Sequence, residues 1–117
     1  MKIRVTIDGK STTATLFDNP TARDFAALLP LTLTLEDYAS TEKIAYPPRR
    51  LSTKDAPDGV DPDAGDIAYY APWGNIAIFY RDFGYSTGLI KLGRFDTDVD
   101  GLSARSPIKA TIEAIRQ

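Results

Sequence analysis

The stretch from Gly65 to Tyr80, G-D-I-A-Y-Y-A-P-W-G-N-I-A-I-F-Y, holds the only Trp of the chain, three of its six Tyr and one of its five Phe. Its pattern predicts a β-hairpin, with strands at Ile67 to Tyr70 and Ile76 to Tyr80. Ala71-Pro72-Trp73-Gly74-Asn75 makes the turn, since Pro presets φ early in a turn and Gly tolerates its exit. Alternation puts Ile76, Ile78 and Tyr80 on one face, Ala77 and Phe79 on the other. A strand that is apolar on both faces must be covered on both. The hairpin is therefore expected at the centre of the fold, with the rest of the chain around it.

A chain of 117 residues forms one domain, 1–117, and can bury roughly two thirds of its unfolded surface. It contains no Cys and no His. Disulfides, thiolate nucleophiles and zinc–thiolate sites are excluded, and so are the usual general base and the commonest transition-metal ligand. The net charge is −2 and only Arg49-Arg50 place two basic side chains together, so no nucleic-acid footprint is expected. No apolar run has the length of a membrane-spanning helix. The opening M-K-I-R-V-T-I-D-G alternates charged and apolar residues, unlike a signal peptide, which leads to the expectation of a cytoplasmic protein.

Along the chain, Lys2 to Asp8 alternates with Ile3, Val5 and Ile7 on one face. Asp8-Gly9 is a hairpin signal, and Ser11 to Phe17 is the return strand. Asn19-Pro20 opens a helix expected to run to Leu29, with Ala22, Phe25, Ala26 and Leu29 on its apolar face and Pro30 at its end. Leu31 to Glu36 alternates as a strand, Asp37 to Ser40 reads as a connection, and Glu42 to Tyr46 as a short strand. Leu51 to Ala64 is the longest irregular stretch, of the kind that often binds or moves. Gly88 to Arg94 is a strand after the polar turn at Arg81 to Thr87. Val99 to Leu102 suggests a helical turn. Ile108, Ala110, Ile112 and Ala114 have period two and suggest a last strand, although the segment also scores as a helix. The fold class is mostly β: about eight strands and one main helix, closed into a barrel that hides its edges.

Three segments carry a resemblance. A-R-D-F-A-A-L-L-P-L-T-L-T-L-E-D-Y, then D-P-D-A-G-D-I-A-Y-Y-A-P-W-G-N-I-A-I-F-Y, then L-I-K-L-G-R-F are similar to the small prokaryotic cyclophilin-like fold proteins, from Ile3 to about Leu102. The resemblance implies an eight-stranded barrel related to cyclophilin, in a family without a settled activity. True cyclophilins surround a proline-peptide groove with an Arg, a Gln, aromatics and a His. This chain has no F-x-x-Q-G-G-D-type stretch and no His, so fold analogy alone does not carry prolyl isomerisation across.

Candidate ligand-binding residues are Tyr70, Trp73, Tyr80 and Arg81. The aromatics, with Tyr69, offer stacking area and hydroxyl groups at a pocket mouth, or else serve packing. Trp73 stands out because a turn tip normally carries small or polar residues; it either folds back over one end of the barrel or stands at a pocket rim. Arg81 can hold a carboxylate or phosphate, or form a surface ion pair with Asp82. Arg94 has the same two readings. Asp96-Thr97-Asp98-Val99-Asp100-Gly101 copies the start of a calcium loop, but the twelfth position is Pro107 where a bidentate carboxylate is needed. No metal, cofactor or catalytic residue is expected, and the Asp58, Asp61, Asp63 and Asp66 group reads as turn chemistry. Three functions follow: a non-catalytic barrel that binds a small molecule or peptide, a weak peptidyl-prolyl isomerase, or a protein-interaction module using the Leu51 to Ala64 loop or a barrel edge.

Overall fold

The computed structural model describes residues 1–99 and 106–115. Asp100 to Leu102, which hold most of the expected helical turn near Val99 and the end of the acidic D-x-D-x-D-G run, lie outside the described residues. The chain enters through a tight hairpin, β1 (Lys2–Ile7) and β2 (Lys10–Leu16). Asp8 (φ 53°) and Gly9 (φ 78°) both take the left-handed conformation that a two-residue hairpin turn requires.

Helix α1 (Pro20–Ala26) begins where the sequence places it. The Asn19 side chain accepts from the Ala22 amide at 2.8 Å, and its Nδ2 donates to the Lys91 carbonyl at 3.0 Å, which ties the helix start to the sheet. The helix is shorter than expected. The Leu28 and Leu29 amides reach back only three residues, to Phe25 and Ala26. The residue before a proline avoids helical geometry, so the last turn tightens and stops ahead of Pro30.

Six more strands complete a ring: β3 (Leu31–Tyr38), β4 (Glu42–Ala45), β6 (Asp66–Tyr70), β7 (Asn75–Phe79), β9 (Leu89–Phe95) and β10 (Ile108–Ala114). Among the described residues the closed order is β1-β10-β3-β4-β7-β6-β9-β2, antiparallel throughout. The last segment is a strand, paired with β1 from Ala110 to Ala114. A two-stranded ribbon, β5 (Gly59–Val60) with β8 (Ser86–Thr87), lies outside the ring order.

Alternation sorts the side chains into two layers. Ile3, Val5, Leu33, Leu35, Ile67, Tyr69, Ile76, Ile78, Leu92 and Ile112 fill the barrel with Phe25 from α1. The Tyr69 hydroxyl is used up inside, accepting from the Leu51 amide at 3.1 Å. Ala68, Ala77, Phe79 and Leu89 form a second, outward cluster with Ile44, Val60 and Tyr70. The central hairpin is thus covered on both faces, as its sequence demands: the barrel interior covers one, the ribbon side the other.

Candidate functional site

Tyr70 and Trp73 come together on the outward face. Tyr70 ends β6 and Trp73 stands in the turn that follows, their ring centroids 5.4 Å apart and their planes at 76°. A third ring joins them: Tyr38 of β3 lies 5.3 Å from Trp73 at 87°. Both are edge-to-face contacts, the arrangement that the ring quadrupole favours. Trp73 therefore folds back against the outside of the sheet and not over the barrel's end. It stays 45% exposed, with Tyr38 at 41%. Arg50 braces the turn, donating to the Ala71 carbonyl at 3.0 Å and packing against Gly74. Asn75 pairs with Tyr70 and is buried, and its Oδ1 has no donor among the described residues.

Tyr38 and its neighbour Glu42 were not singled out by sequence reasoning. The sequence reading ended the third strand at Glu36 and gave Asp37 to Ser40 to a connection. Instead β3 runs on to Tyr38, and Ala39 and Ser40 adopt positive φ, 57° and 54°. Glu42 stands between Tyr38 and Phe79 in the cross-strand register, with the Phe83 ring 6.3 Å from that of Phe79. This aromatic surround desolvates its carboxyl and pushes its pKa from 4.5 up to about 7. Among the described residues no ion pair or hydrogen bond compensates.

The sign of the consequence follows from linkage. Below pH 4.5 the group is protonated in both folded and unfolded chains. Between 4.5 and 7 the unfolded chain gives up its proton while the folded chain keeps it, so stability falls as pH rises, and the deficit is complete above 7. Glu42→Gln is expected to stabilise the protein at pH 8 by about 1–2 kcal/mol, discounted for the solvent that still reaches the group, and to do little at pH 4. Urea unfolding at the two pH values checks this; an equal effect at both would refute it.

Tyr80 and Arg81 are elsewhere. Tyr80 faces inward with Ile76 and Ile78, against the barrel core. Its hydroxyl donates to Asp37, which also lies 3.5 Å from the buried Lys43 ammonium. Burial and the Asp37 hydrogen bond push the Tyr80 phenol up to about 12, and the Tyr80 bond holds Asp37 below the ordinary carboxylate range. Arg81 is exposed, with its guanidinium 5.9 Å from the Tyr80 ring. Asp82 does not pair with it but accepts from the Ala64 amide at 2.9 Å. The four residues grouped in the sequence thus fall into two pairs, one outside the sheet and one at the barrel's interior end.

The charged residues elsewhere are committed to structure. Asp66 is buried, accepts from Arg94 at 2.7 Å and from the Asp63 amide at 2.8 Å, and lies 3.1 Å from the Lys91 ammonium. Asp96 accepts from Thr13, Thr15 and Lys2 at 2.7–2.9 Å, bonds that lower its pKa to about 2. The acidic loop thus starts with a carboxylate already used. Among the described residues no cluster of acidic side chains has the makings of a metal site. A separate apolar recess of about 180 Å³ lies between Phe17, Thr21, Ala56, Val60 and Ile90, at the Leu51 to Ala64 stretch that the sequence reading gave as one that binds or moves.

With its ring half in solvent, Trp73 is not a core residue. Trp73→Ala is expected to cost about 1–2 kcal/mol, the worth of two aromatic pairs and partial burial, well under the 3–5 kcal/mol of a buried Trp. Thermal or urea unfolding measures it, and a loss in the higher range would restore the packing role.

Comparison with known proteins agrees with the architecture. None of the curated proteins matches the chain. The solution structure of a hypothetical protein from Archaeoglobus fulgidus superposes with a TM-score of 0.67 at 19% identity, over 98% of this chain and 95% of that one; the likeness is one of fold. The model of the cyclophilin-like family matches residues 5–113. Nearly the whole barrel, from β1 to β10, lies within that match, and the chain belongs to the cyclophilin-like family.

Proposed function

We propose that this barrel is a non-catalytic binding protein whose ligand, a small molecule or an extended peptide, docks on the outward cluster of Tyr38, Trp73 and Tyr70. The observation that carries this reading is Trp73 itself. It is held by two edge-to-face contacts yet 45% exposed, so a large apolar face is preorganised before any ligand arrives. Rigid, amphipathic rings give contact area at small entropic cost, which is why Trp and Tyr dominate binding hot spots. The test is a chemical-shift titration with a panel of short peptides and aromatic fragments. Changes centred on Tyr38, Tyr70 and Trp73 support the reading. Changes confined to the recess beside α1 would overturn it.

The same geometry argues against isomerase activity. Arg49 pairs with Asp24, Arg50 with the Ala71 carbonyl and Arg94 with Asp66, so each of these guanidinium groups is already engaged within the fold. Little or no acceleration of X-Pro isomerisation in a standard peptide is expected. Robust catalysis that disappears in Arg81→Ala would show that the Tyr80–Arg81 pair suffices for the reaction.

A further inference from the structure

We infer that the occupant of the outward aromatic cluster is a peptide segment bearing a basic side chain, with its cationic head beside Glu42 and Trp73. The inference rests on the binding reading above and names its ligand class. Glu42 occupies the same outward row as Tyr38 and Phe79. Glu36 stands two residues before Tyr38 on that face, opposite Ile44, and is exposed. Neither carboxyl has an ion pair among the described residues, so Glu36 and, above about pH 7, Glu42 place uncompensated negative charge beside the ring cluster. The faces of Tyr and Trp rings are themselves electron-rich and attract cations. Among the described residues the nearby cations are placed elsewhere. The Arg50 guanidinium is on the Ala71 carbonyl, and Arg81 lies over Tyr80. Lys43 faces inward, toward Asp37.

Charge complementarity thus selects the ligand. A neutral apolar segment would cover Glu42 and deepen the desolvation that already raises its proton affinity. An ammonium or guanidinium on an aliphatic stem supplies the missing counter-charge and lays its methylene groups along the rings. An acidic ligand would meet two like charges.

The chain's only Trp is at the site, so its fluorescence reports occupancy directly. The probes are three acetylated and amidated hexapeptides, identical except for Lys, norleucine or Glu at a central position. The Lys peptide is expected to bind with an affinity about tenfold above the norleucine peptide, and Glu42→Gln is expected to remove most of that preference. Two-dimensional NMR on the same samples places the contact. Equal binding of the Lys and norleucine peptides at Trp73 would overturn the cationic assignment while leaving an aromatic binding surface in place. No response to any peptide would overturn both. A Lys preference untouched by Glu42→Gln would remove Glu42 as the partner and refute the inference as stated.

Discussion

Gly93→Ala is expected to destabilise the protein by about 3 kcal/mol, the upper end of the range for overpacking, because the group that must give is backbone. A Cβ at position 93 would lie 2.3 Å from the Thr15 carbonyl oxygen and 3.0 Å from the Leu16 Cα. Gly93 pairs directly with Leu16 where β9 meets β2, the seam at which the ring closes. Relief by a side-chain rotation is not on offer, and the two strands would have to part. Equilibrium unfolding in urea measures the cost. Stability within a few tenths of a kcal/mol of the parent would mean that the seam spreads freely and that Gly93 is not what lets the strands approach.

Asp66→Ala is expected to cost about 2–3 kcal/mol. The carboxylate is 1% exposed and serves Arg94, Lys91 and the Asp63 amide together. Stranding a buried charge partner typically costs about 3–5 kcal/mol. Here Arg94 is half exposed and Lys91 is partly so, and water softens the loss. Asp66→Asn separates the contributions, since an amide oxygen can still accept from Asp63 but no longer balances two cations. If the Asn variant is as stable as the parent, the charge contributes nothing and the amide cap is the whole effect.

Most of the barrel was legible because its local rules agree with its global fold. Ile3, Val5 and Ile7 alternate against Lys2, Arg4 and Thr6, Asp8-Gly9 dictates a two-residue turn, and Asn19-Pro20 can hardly do anything but open a helix. The site was legible only in part, for a physical reason. Parity along β7 separates Tyr80 from Phe79, and the sequence shows this. What parity cannot say is which face lies inside a hairpin that is apolar on both. Tyr70 and Tyr80 therefore read as neighbours, yet one faces out and the other in. Tyr38 was missed because it was read into the connection after Glu36, whereas β3 runs on to it; Glu42 was read within a strand, but nothing local marked its surroundings. The burial that raises the Glu42 pKa, moreover, comes from the sheet in which Glu42 faces Phe79, thirty-seven residues along the chain, which no local pattern can show. The family resemblance supplied the barrel but not the site, since function resides in side chains grafted on a shared fold.

The pairing of β1 with β10 has a further consequence, for how the chain is made. Strand β10 fits between β1 and β3, so those two keep bare edges until Ile108–Ala114 has been synthesised. A growing chain that ends before Ile108 carries two strands, each with one open edge and alternating apolar residues, the template for sticking to another copy. The same adjacency makes the ring indifferent to where it is cut. The Ile115 amide bonds the Lys2 carbonyl at 3.0 Å, and a short linker there with new ends opened at Asp8-Gly9 would leave every barrel pair intact. Such a permuted chain would deliver β2 first and β1 last, and any difference in its yield of soluble protein would report on vectorial folding alone.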